Sequence, residues 1–369
     1  MCGGSGGING EALMQLTVLN VAYPFAPVGP LCVGGAEQIL TELDRALVSA
    51  GHASLTLACD GSVSAGKLFS TSRPNHRLES QAERSWCRKQ FQTKLDAVLA
   101  AHRVDLVHMH GFDFYEYKLP LEIPVLVTLH LPVAWYPGEI WKNTPANVQF
   151  QCVSESQRSS GPPECHSFPV ISNGVAMPAQ RRRADNFAVA LGRICQEKNQ
   201  HAALEAGFLA NTRVILGGQV FPWREHVRYY REKVKPLLRQ RRQGLRHKFH
   251  GPLSWMRKQS LLAHAKCLLH PTLAPETSSL VAMEALAAGT PVIAYRSGAL
   301  PEIVEHGVTG FLVDSVEEMA DAIHRVHTIR PEACRVTAEQ RFSKQRMVDQ
   351  YFRLYQQMIQ RPLEERLHA

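Results

Sequence analysis

Two glutamates, Glu276 and Glu284, flank the predicted start of a helix in the stretch PETSSLVAMEALAAGTPVIA. On one continuous helix, eight residues at about 100° each would leave the two side chains roughly 80° apart, which is a poor common face. The segment PETSS instead predicts a turn after a strand, with Ser278 or Ser279 as the N-cap of a helix that ends at Gly289. Glu276 then precedes the helix, and Glu284 lies in its second turn.

The start of this helix could bind a phosphate between the two carboxylates. Its first N–H groups lack partners within the helix, and the positive end of the helix dipole lies there. Because helical side chains lean toward the N-terminus, Glu284 could reach hydroxyls on one side of the phosphate and Glu276 hydroxyls on the other. A molecule with diols on both sides of a diphosphate is a nucleotide sugar. The alternative is that Glu276 is a surface charge of a loop and Glu284 an exposed helix residue.

Two further motifs suit a bound diphosphate. In LGRICQEKNQ, Arg193 and Lys198 lie at a predicted strand-to-helix turn, where a guanidinium fork and an ammonium could face phosphate oxygens. Gly34 and Gly35, at the start of another predicted helix, would allow close approach of the backbone to a phosphate or sugar. Each motif also has an ordinary interpretation, because a solvated lysine and a glycine turn are common at helix starts.

Strand-like runs alternate with helical patterns in both halves of the chain. In the first half the runs are LTVLNVAYPF, SLTLACD, VDLVHMH, PVLVTLH and VQFQCVS, with predicted helices at GGAEQILTELDRALVSAGH and near 86–102. After SSGPPECHSF the alternation restarts with FAVALGRI, RVILGG, KFHGPL, KCLLHPT, PVIAYR and GFLVD. Such alternation predicts parallel sheets covered by helices on both faces.

The predicted fold class is α/β, with two Rossmann-like, doubly wound parallel-sheet domains that face each other across a cleft. The N-terminal domain is assigned to residues 14–166, the C-terminal domain to 167–340 and a terminal helix to 341–360, with tails at 1–13 and 361–369. Ser315 and Glu318 form a capping-box pattern. Since open parallel sheets bind ligands at the carboxyl ends of their strands, we expect the site between the two domains.

The composition is that of a soluble globular enzyme. Of the 369 residues, 45% are hydrophobic and 20% charged, and no apolar run approaches the roughly 20 residues needed to span a bilayer. The first residues lack the basic and apolar regions of a secretory signal. The nine cysteines show no CxxC or metal-like spacing, which indicates reduced thiols and a cytoplasmic location.

The net charge of +8 favours anionic partners, and much of it lies between Trp223 and Lys248, where ten lysines and arginines face two glutamates. The period there is helical, with one apolar side that contains Val227, Tyr230, Val234, Leu237 and Leu238. A solvated basic face is the simpler interpretation, and peripheral contact with an anionic membrane is the alternative. No nucleic-acid-binding motif is present, so we expect no nucleic acid as a partner.

The motifs together resemble a known family. HPTLAPETSSLVAMEALAAGTPVIAYRSGALPEIVEHGVTGFLVD is similar to the signature of the retaining family 4 glycosyltransferases of the GT-B fold, with its two glutamates separated by seven residues. The resemblance extends, in the family's order, to GGAEQILTELDRALVSAGH, DLVHMHG, VTLH, VISNGV, LGRICQEKN and FHGPL. It covers nearly the whole chain after Met14.

The resemblance implies that the C-terminal domain binds the sugar nucleotide. Glu284 would bind the ribose hydroxyls and Glu276 the transferred sugar, while Arg193 and Lys198 would stabilise the departing diphosphate. The remaining implied donor contacts are the amides of Ser279 and Leu280 and, around the base, Gly251 to Leu253. Many relatives have a bulky residue and then glycine after the first glutamate, where this chain has Ser278 and Ser279, so we expect this pair to tune donor preference.

In the N-terminal domain, the resemblance implies that Gly34 and Gly35 approach the donor phosphate. His110 and His130 would line the reaction centre and acceptor pocket, and the terminal helix would cross back onto this domain. The alternative for both histidines is an ordinary buried, hydrogen-bonded residue, which is the preferred interpretation for His108. The aromatic residues of GFDFYEYKLP and HLPVAWYPGEIW could stack on sugar rings or fill the domain.

The implied reaction is transfer of a hexose, with retention, from a nucleotide diphosphate sugar to an acceptor hydroxyl. A UDP-sugar is the first expectation and a GDP-sugar the second. Fixed cations and a helix start would stabilise the leaving diphosphate. We expect no metal, since no DxD-like pair is evident in the right place, and no cofactor besides this co-substrate. The resemblance implies a same-face reaction in which the leaving phosphate accepts the acceptor's proton, so we expect no protein nucleophile. The acceptor would be a glycan, a lipid-linked sugar or a small molecule. The alternatives are a GT-B sugar-nucleotide epimerase and a non-catalytic sugar-nucleotide-binding protein.

Overall fold

The computed structural model describes residues 15–72, 81–178 and 184–361. The predicted tail 1–13 and all but the first residue of the tail 361–369 lie outside these ranges. The described residues contain two six-stranded sheets in which every strand pair is parallel. This arrangement confirms the predicted α/β class with two doubly wound sheets.

The N-terminal sheet has the strand order β3-β2-β1-β4-β5-β6. Its central strands are almost entirely buried, which explains their continuous apolar runs. The strands are β1 (Thr17–Val21), β2 (Ala53–Cys59), β3 (Lys67–Thr71), β4 (Leu106–Met109), β5 (Val125–Leu129) and β6 (Val148–Cys152), and the helices are α1 (Gly35–Ser49), α2 (Gln81–Ala101) and α3 (Glu155–Ser159).

The C-terminal sheet has the order β12-β11-β10-β7-β8-β9. Its strands are β7 (Phe187–Leu191), β8 (Arg213–Gly217), β9 (Lys248–Phe249), β10 (Cys267–His270), β11 (Val292–Tyr295) and β12 (Gly310–Val313). The helices are α4 (Gln200–Leu209), α5 (Arg224–Tyr229), α6 (Lys235–Arg239), α7 (Trp255–His264), α8 (Leu280–Ala287), α9 (Leu300–Ile303), α10 (Val316–Arg325), α11 (Pro331–Phe342) and α12 (Lys344–Gln360).

The two sheets share one topology. Counted from the first strand of each domain, both follow the order 3-2-1-4-5-6, so the direction of winding reverses between β1 and β4 and again between β7 and β10. Ligands of doubly wound sheets bind outside the carboxyl ends of the strands at such a reversal. In this chain those ends carry the predicted site residues.

The chain crosses between the domains twice. Ile171 packs in an N-terminal apolar cluster and Val175 in the C-terminal core, so the first crossing lies between these two residues. The second crossing follows α11, where Val175 pairs with Ser343. Helix α12 then packs against the N-terminal domain through its fully buried Tyr351 and Tyr355.

The basic helix is shorter than predicted. It runs through α5, a π-helical turn at Tyr230–Val234 and α6, and it ends at Arg239 rather than at Lys248. A tight turn closed between Arg242 and Leu245 follows, because glycine and polar residues replace the apolar period there. The predicted apolar side is confirmed where Val234, Leu237 and Leu238 enter the C-terminal core.

The predicted capping box at the start of α10 is present. The Ser315 hydroxyl accepts a hydrogen bond from the Glu318 amide at 3.1 Å. The Glu318 carboxylate accepts one from the Asp314 amide at 2.8 Å, one residue before the N-cap. In the described part of the chain, no helix is both long and apolar enough to cross a bilayer.

Candidate active site in the interdomain cleft

Helix α8 begins where the sequence predicts, immediately after Ser279. The Ser279 hydroxyl, however, makes no capping bond, which corrects the expectation that a serine side chain caps this helix. It lies instead 3.2 Å from Nε2 of His270, at the end of β10. The neighbouring Ser278 hydroxyl is buried and has no hydrogen-bond partner among the described residues. The first amides of α8 therefore remain available to an anion.

Glu276 lies before α8 in a cluster of charged and polar groups. Its Oε1 accepts a hydrogen bond from Lys198 Nζ and lies 3.3 Å from His270 Nε2. Burial opposes ionisation of this carboxyl, but the bond from His270 and the charge of Lys198 outweigh it and lower the pKa to about 2. Glu276 is therefore ionised at neutral pH.

The backbone of Glu276 is fixed by the turn that precedes α9. The Ala299 amide donates to the Glu276 carbonyl oxygen at 2.7 Å. Gly298 has a φ of 53°, and a Cβ at this position would overlap the backbone of Glu276. A glycine is thus required here for both the conformation and the close approach.

Glu284, in the second turn of α8, is buried, so the alternative of an exposed helix residue is wrong. Its Oε1 forms an ion pair with Lys258 Nζ of α7 at 2.6 Å. Its Oε2 is buried without a hydrogen-bond partner among the described residues. Burial raises the pKa of this carboxyl, and Lys258 opposes that rise. An unpartnered carboxylate oxygen is suited to accept a hydrogen bond from a ligand hydroxyl.

The turn after β7 brings Lys198, but not Arg193, into contact with Glu276. The segment Gln196–Lys198 forms a 3₁₀ turn, and the Glu197 carbonyl accepts hydrogen bonds from the Leu273 amide at 2.8 Å and the Thr272 hydroxyl at 3.1 Å. These bonds tie the turn to the loop after β10. Arg193 lies at the same edge of the sheet with an exposed side chain. Its position at the winding reversal suits contact with a phosphate oxygen of a bound ligand.

Gly251 and Leu253 lie beside the carboxyl end of β8. The Gly251 carbonyl accepts a hydrogen bond from the Gly218 amide at 2.8 Å, and Gly251 has a φ of 66°. The Leu253 side chain packs directly over Gly217, where a Cβ would overlap it. Helix α7, which provides Lys258, begins two residues later. The predicted base-binding segment therefore lies next to the Glu284 ion pair along the chain.

Gly34 and Gly35 lie at the start of α1, opposite the start of α8. Gly34 is the N-cap residue and Gly35 the first helical residue, and both are exposed. A Cβ placed on Gly35 would lie 3.6 Å from Cδ1 of Leu280. Two helix N-termini, one from each domain, therefore face each other across the cleft, and at that of α1 the Glu37 carboxylate lies beside Gly34.

His110 and His130 adjoin at the carboxyl ends of β4 and β5. Nδ1 of His110 lies 3.2 Å from Nε2 of His130, and the rings are stacked with centroids 5.5 Å apart. His110 Nε2 is buried with no hydrogen-bond partner among the described residues. Thr277, next to Glu276, donates from its hydroxyl to the His130 carbonyl at 2.9 Å, so the pair borders the C-terminal site.

Both histidines of this pair are neutral at neutral pH. Burial lowers the pKa of His130 to about 4, and it lowers that of His110 well below the usual range, where His108 adds to the effect. His108 is fully buried and makes hydrogen bonds of 2.8 Å with Tyr355 and 2.7 Å with Thr128. This confirms the preferred interpretation of His108 as a core residue.

The sequence did not single out four residues that complete the site: Lys258, His270, Thr277 and Gly298. His270 and Gly298 stood in quoted motifs, KCLLHPT and GALPEIV, as a strand end and a turn. Lys258 carried no signal, because its pairing with Glu284 depends on how α7 packs against α8. The signal for Thr277 was its place directly after Glu276.

Most aromatic residues of the N-terminal loops fill the domain. Phe114, Tyr117, Tyr136 and Trp141 are buried in its apolar core, whereas Trp135 is 59% exposed. A cavity of about 610 Å³ lies beside Tyr136 and Trp141. The burial of Phe114, Tyr117, Tyr136 and Trp141 favours packing over sugar stacking as the role of these four rings.

Comparison with known proteins places the chain in a family. The family model described as Glycosyl transferases group 1 matches residues 178–342, and that described as Glycosyltransferase Family 4 matches residues 33–156. Together these ranges take in most of the chain. The first crossing between the domains lies in the gap between the two ranges.

Curated relatives match over short segments. A D-inositol 3-phosphate glycosyltransferase of Saccharomonospora viridis is 42% identical over 92 residues, which are 23% of this chain and 21% of the relative. An uncharacterized 41.2 kDa protein in the cps region of Klebsiella pneumoniae is 40% identical over 87 residues, 22% of this chain and 24% of the relative. A GDP-mannose-dependent alpha-(1-6)-phosphatidylinositol monomannoside mannosyltransferase of Mycobacterium tuberculosis is 52% identical over 50 residues, 13% of each chain. The chain thus spans about a quarter or less of the length of these relatives.

Solved structures match over nearly the whole chain. Sucrose-phosphate synthase from Thermosynechococcus elongatus has a TM-score of 0.74 at 18% identity and covers 93% of this chain and 99% of its own. Anabaena Alr3699/HepE, in complex with UDP and glucose, has a TM-score of 0.70 at 19% identity, with 93% and 100% covered. At such identities the likeness shows the fold, which is GT-B. On these family models and this fold, the chain belongs to the glycosyl transferases of group 1, family 4.

Proposed function

We propose that this protein transfers a hexose, with retention at the anomeric carbon, from a nucleotide diphosphate sugar to an acceptor hydroxyl. The observation that carries the proposal is the pair of buried carboxylates around the start of α8, of which Glu284 keeps Oε2 without a partner among the described residues. Both carboxylates are suited to hold hydroxyls on the two sides of a diphosphate.

The diphosphate would bind between the N-termini of α8 and α1. The start of α8 and the exposed glycines of α1 lie on opposite sides of the cleft, with the Leu280 side chain next to Gly35, and Arg193 and Lys198 add positive charge. Lys198 pairs with Glu276 in this structure, so phosphate oxygens would compete for its ammonium group. Cations and helix starts of this kind stabilise the negative charge that develops on a leaving diphosphate.

The sugar would lie between Glu276 and the histidine pair. Glu276 is ionised at neutral pH and accepts hydrogen bonds from sugar hydroxyls, whereas neutral His110 and His130 place no charge beside the anomeric carbon. In the transfer, the bond from the anomeric carbon to the diphosphate oxygen breaks and a bond to the acceptor oxygen forms. The acceptor attacks on the face that the diphosphate leaves, and its proton passes to the departing phosphate oxygen, so the configuration is retained without a protein nucleophile.

The donor is a UDP-sugar in this proposal, with a GDP-sugar second. The Anabaena structure that shares the fold contains UDP and glucose, and one matching relative is GDP-mannose-dependent. Because Ser279 bonds to His270 rather than capping α8, its hydroxyl lies within the cluster that holds Glu276. We propose that Ser278 and Ser279 set the donor sugar through this cluster.

A donor panel tests the assignment. The protein would be mixed with UDP-, GDP- and ADP-sugars, and binding would be followed by thermal shift, with a UDP-sugar expected to give the largest rise. The best donor would then be incubated with glycan, lipid-linked and small-molecule acceptors, and the anomeric configuration of the product would be read by NMR. Inversion at the anomeric carbon would contradict the proposed mechanism.

The same assay separates the other enzymatic and binding functions. An isomerised nucleotide sugar formed without any acceptor would identify an epimerase. Donor binding with no product from any acceptor class would favour a sugar-nucleotide-binding protein.

We propose that the protein works in the cytoplasm, where thiols remain reduced. Cys87, Cys152, Cys165 and Cys267 are buried free thiols, and Cys32 is a partly exposed one. The basic side of α5 and α6 is exposed, and Trp223 beside it is 48% exposed, which suits contact with an anionic membrane. Co-sedimentation with liposomes should rise with their anionic lipid content, and binding independent of that content would contradict this contact.

A further inference from the structure

Three side chains with metal-binding atoms converge beside the turn that carries Lys198. They are Cys195 and Glu197, which follow β7, and His226, which lies in α5. One ligand atom of each residue lies within 4.8 Å of those of the other two. Folding therefore creates a cluster that the spacing of cysteines along the sequence did not predict.

The cluster is buried on one side and open on the other. Cys195 is fully buried and His226 is 6% exposed, whereas Glu197 is exposed. His226 Nδ1 is buried and has no hydrogen-bond partner among the described residues. The Cys195 thiol makes a long contact of 3.6 Å with the Arg193 carbonyl. The imidazole that adjoins this thiol thus has a buried nitrogen without a partner, which is an independent sign that a ligand belongs there.

The ligand chemistry selects zinc. A thiolate, an imidazole and a carboxylate are the groups that Zn²⁺ prefers, and three protein ligands leave a fourth tetrahedral position to water. Zinc–ligand distances of about 2.0 to 2.3 Å place tetrahedral ligand atoms roughly 3.5 Å apart. Because Glu197 is exposed, rotation of its side chain can bring its carboxylate inward. We propose that Cys195, Glu197 and His226 bind Zn²⁺ at a site outside the glycosyl-transfer machinery.

A bound ion would act on the donor site through the backbone. The segment Gln196–Lys198 is one 3₁₀ turn, and Lys198 pairs with Glu276. Zinc on Glu197 in this turn, on Cys195 directly before it and on His226 would fix the turn against α5. It would also add positive charge near Arg193, whose own charge already acts on Glu197 and His226. This coupling, which rests on the proposed function, makes the affinity for UDP depend on zinc.

Cobalt substitution tests the site without any activity measurement. The full chain, reduced and metal-free, would be titrated with Co²⁺, and a thiolate-to-cobalt charge-transfer band in the near ultraviolet is expected, which Zn²⁺ should displace. Cys195→Ser should abolish the band. Glu197→Gln and His226→Gln should weaken binding by about tenfold or more, because losing a ligand costs at least as much as losing an outer-shell partner. Cys32→Ser is the control, since it removes a more accessible thiol elsewhere in the chain.

The outcomes separate the two proposals. A missing band in the wild type, or a band that survives Cys195→Ser, would overturn the zinc site. Glu197→Gln is the ligand variant that we expect to fold normally, because the Glu197 side chain is exposed and glutamine has the same shape. UDP affinity would be measured with and without Zn²⁺, and we expect it to change in the wild type but not in Glu197→Gln. Zinc binding without any nucleotide binding would sink the proposed function and leave the metal site standing.

Discussion

The two halves of the cleft share one sheet topology but differ in their electrostatics. The C-terminal half gathers ionic pairs, Glu276 with Lys198 and Glu284 with Lys258. The N-terminal half presents His110 and His130, whose pKa values burial lowers until both are neutral at neutral pH. The same strand reversal thus places ion pairs on one side of the cleft and neutral histidines on the other. The two ion pairs form the charged wall, and His110 and His130 form the neutral wall.

This difference indicates a division of labour. A diphosphate and its diols need fixed charge and hydrogen-bond acceptors, which the C-terminal wall provides. A sugar that develops positive charge as its bond breaks needs a neighbour without competing positive charge, which neutral histidines provide. Each wall can therefore be tested on its own.

The largest expected effect is on the charged wall. Glu276→Gln keeps the shape of the side chain but leaves Lys198 and His270 without their carboxylate partner. We expect transfer to fall about 100-fold or more, as for other preorganised polar groups at a reaction centre. Initial rates with the best donor would measure this loss, and Glu339→Gln, an exposed carboxyl on α11, is the matched control. Full activity in Glu276→Gln would defeat the assigned role.

A second change moves Glu276 without altering it. In Gly298→Ala, the added Cβ overlaps the Glu276 backbone and must displace it. A misplacement of about 1 Å at a reacting centre can cost on the order of 100-fold, so we expect a 10- to 100-fold loss of activity. Gly307→Ala is a close control, because Gly307 also has a positive φ, of 81°, but its Cβ would meet nothing within 4 Å. Equal losses of activity in both variants would mean that backbone strain alone, and not displacement of Glu276, lowers the activity.

The neutral wall is tested by acid. A histidine whose pKa is lower in the folded state than in the unfolded chain costs stability as pH falls below the unfolded value of about 6.5. For His130 the loss continues down to a folded pKa of about 4. His130→Gln should therefore make the free energy of unfolding fall less steeply between these values, by up to about 1.4 kcal/mol per pH unit.

Urea denaturation at several pH values would measure this slope. His166→Gln, which alters an exposed histidine, is the control and should change the slope little. An unchanged slope in His130→Gln would mean that folding does not lower the pKa of His130, which would contradict its assignment to the neutral wall.

The sequence predicted most of the charged wall. Glu276, Glu284 and Lys198 lie where strand ends and helix starts predict them, because winding order alone places those ends together. It did not predict their partners. Lys258 reaches Glu284 from another helix. The Ser279 hydroxyl, which was expected to cap α8, lies beside His270 instead. Such pairings depend on how helices pack and on which rotamers the side chains adopt, and neither can be predicted from a short stretch of sequence.

The neutral wall was harder to predict. Strand ends at His110 and His130 were identifiable, but their shared hydrogen bond and their neutrality follow from burial that only the folded domain creates.

The sequence also failed to predict where the basic helix ends. Its apolar period predicted the buried side, while the stop at Arg239 rather than Lys248 followed from a turn that the charge run obscured.

The most direct test of the central claim is the affinity of UDP for Glu284→Gln. The unpartnered Oε2 of Glu284 is proposed to hold the ribose, a group that UDP and GDP share, so the result does not depend on the base. Losing one charge-assisted hydrogen bond of about 1.5 to 3 kcal/mol predicts a roughly 10- to 100-fold weaker Kd by calorimetry. The wild type and Glu339→Gln should bind equally well. An unchanged Kd in Glu284→Gln would contradict the claim that this carboxylate holds the donor.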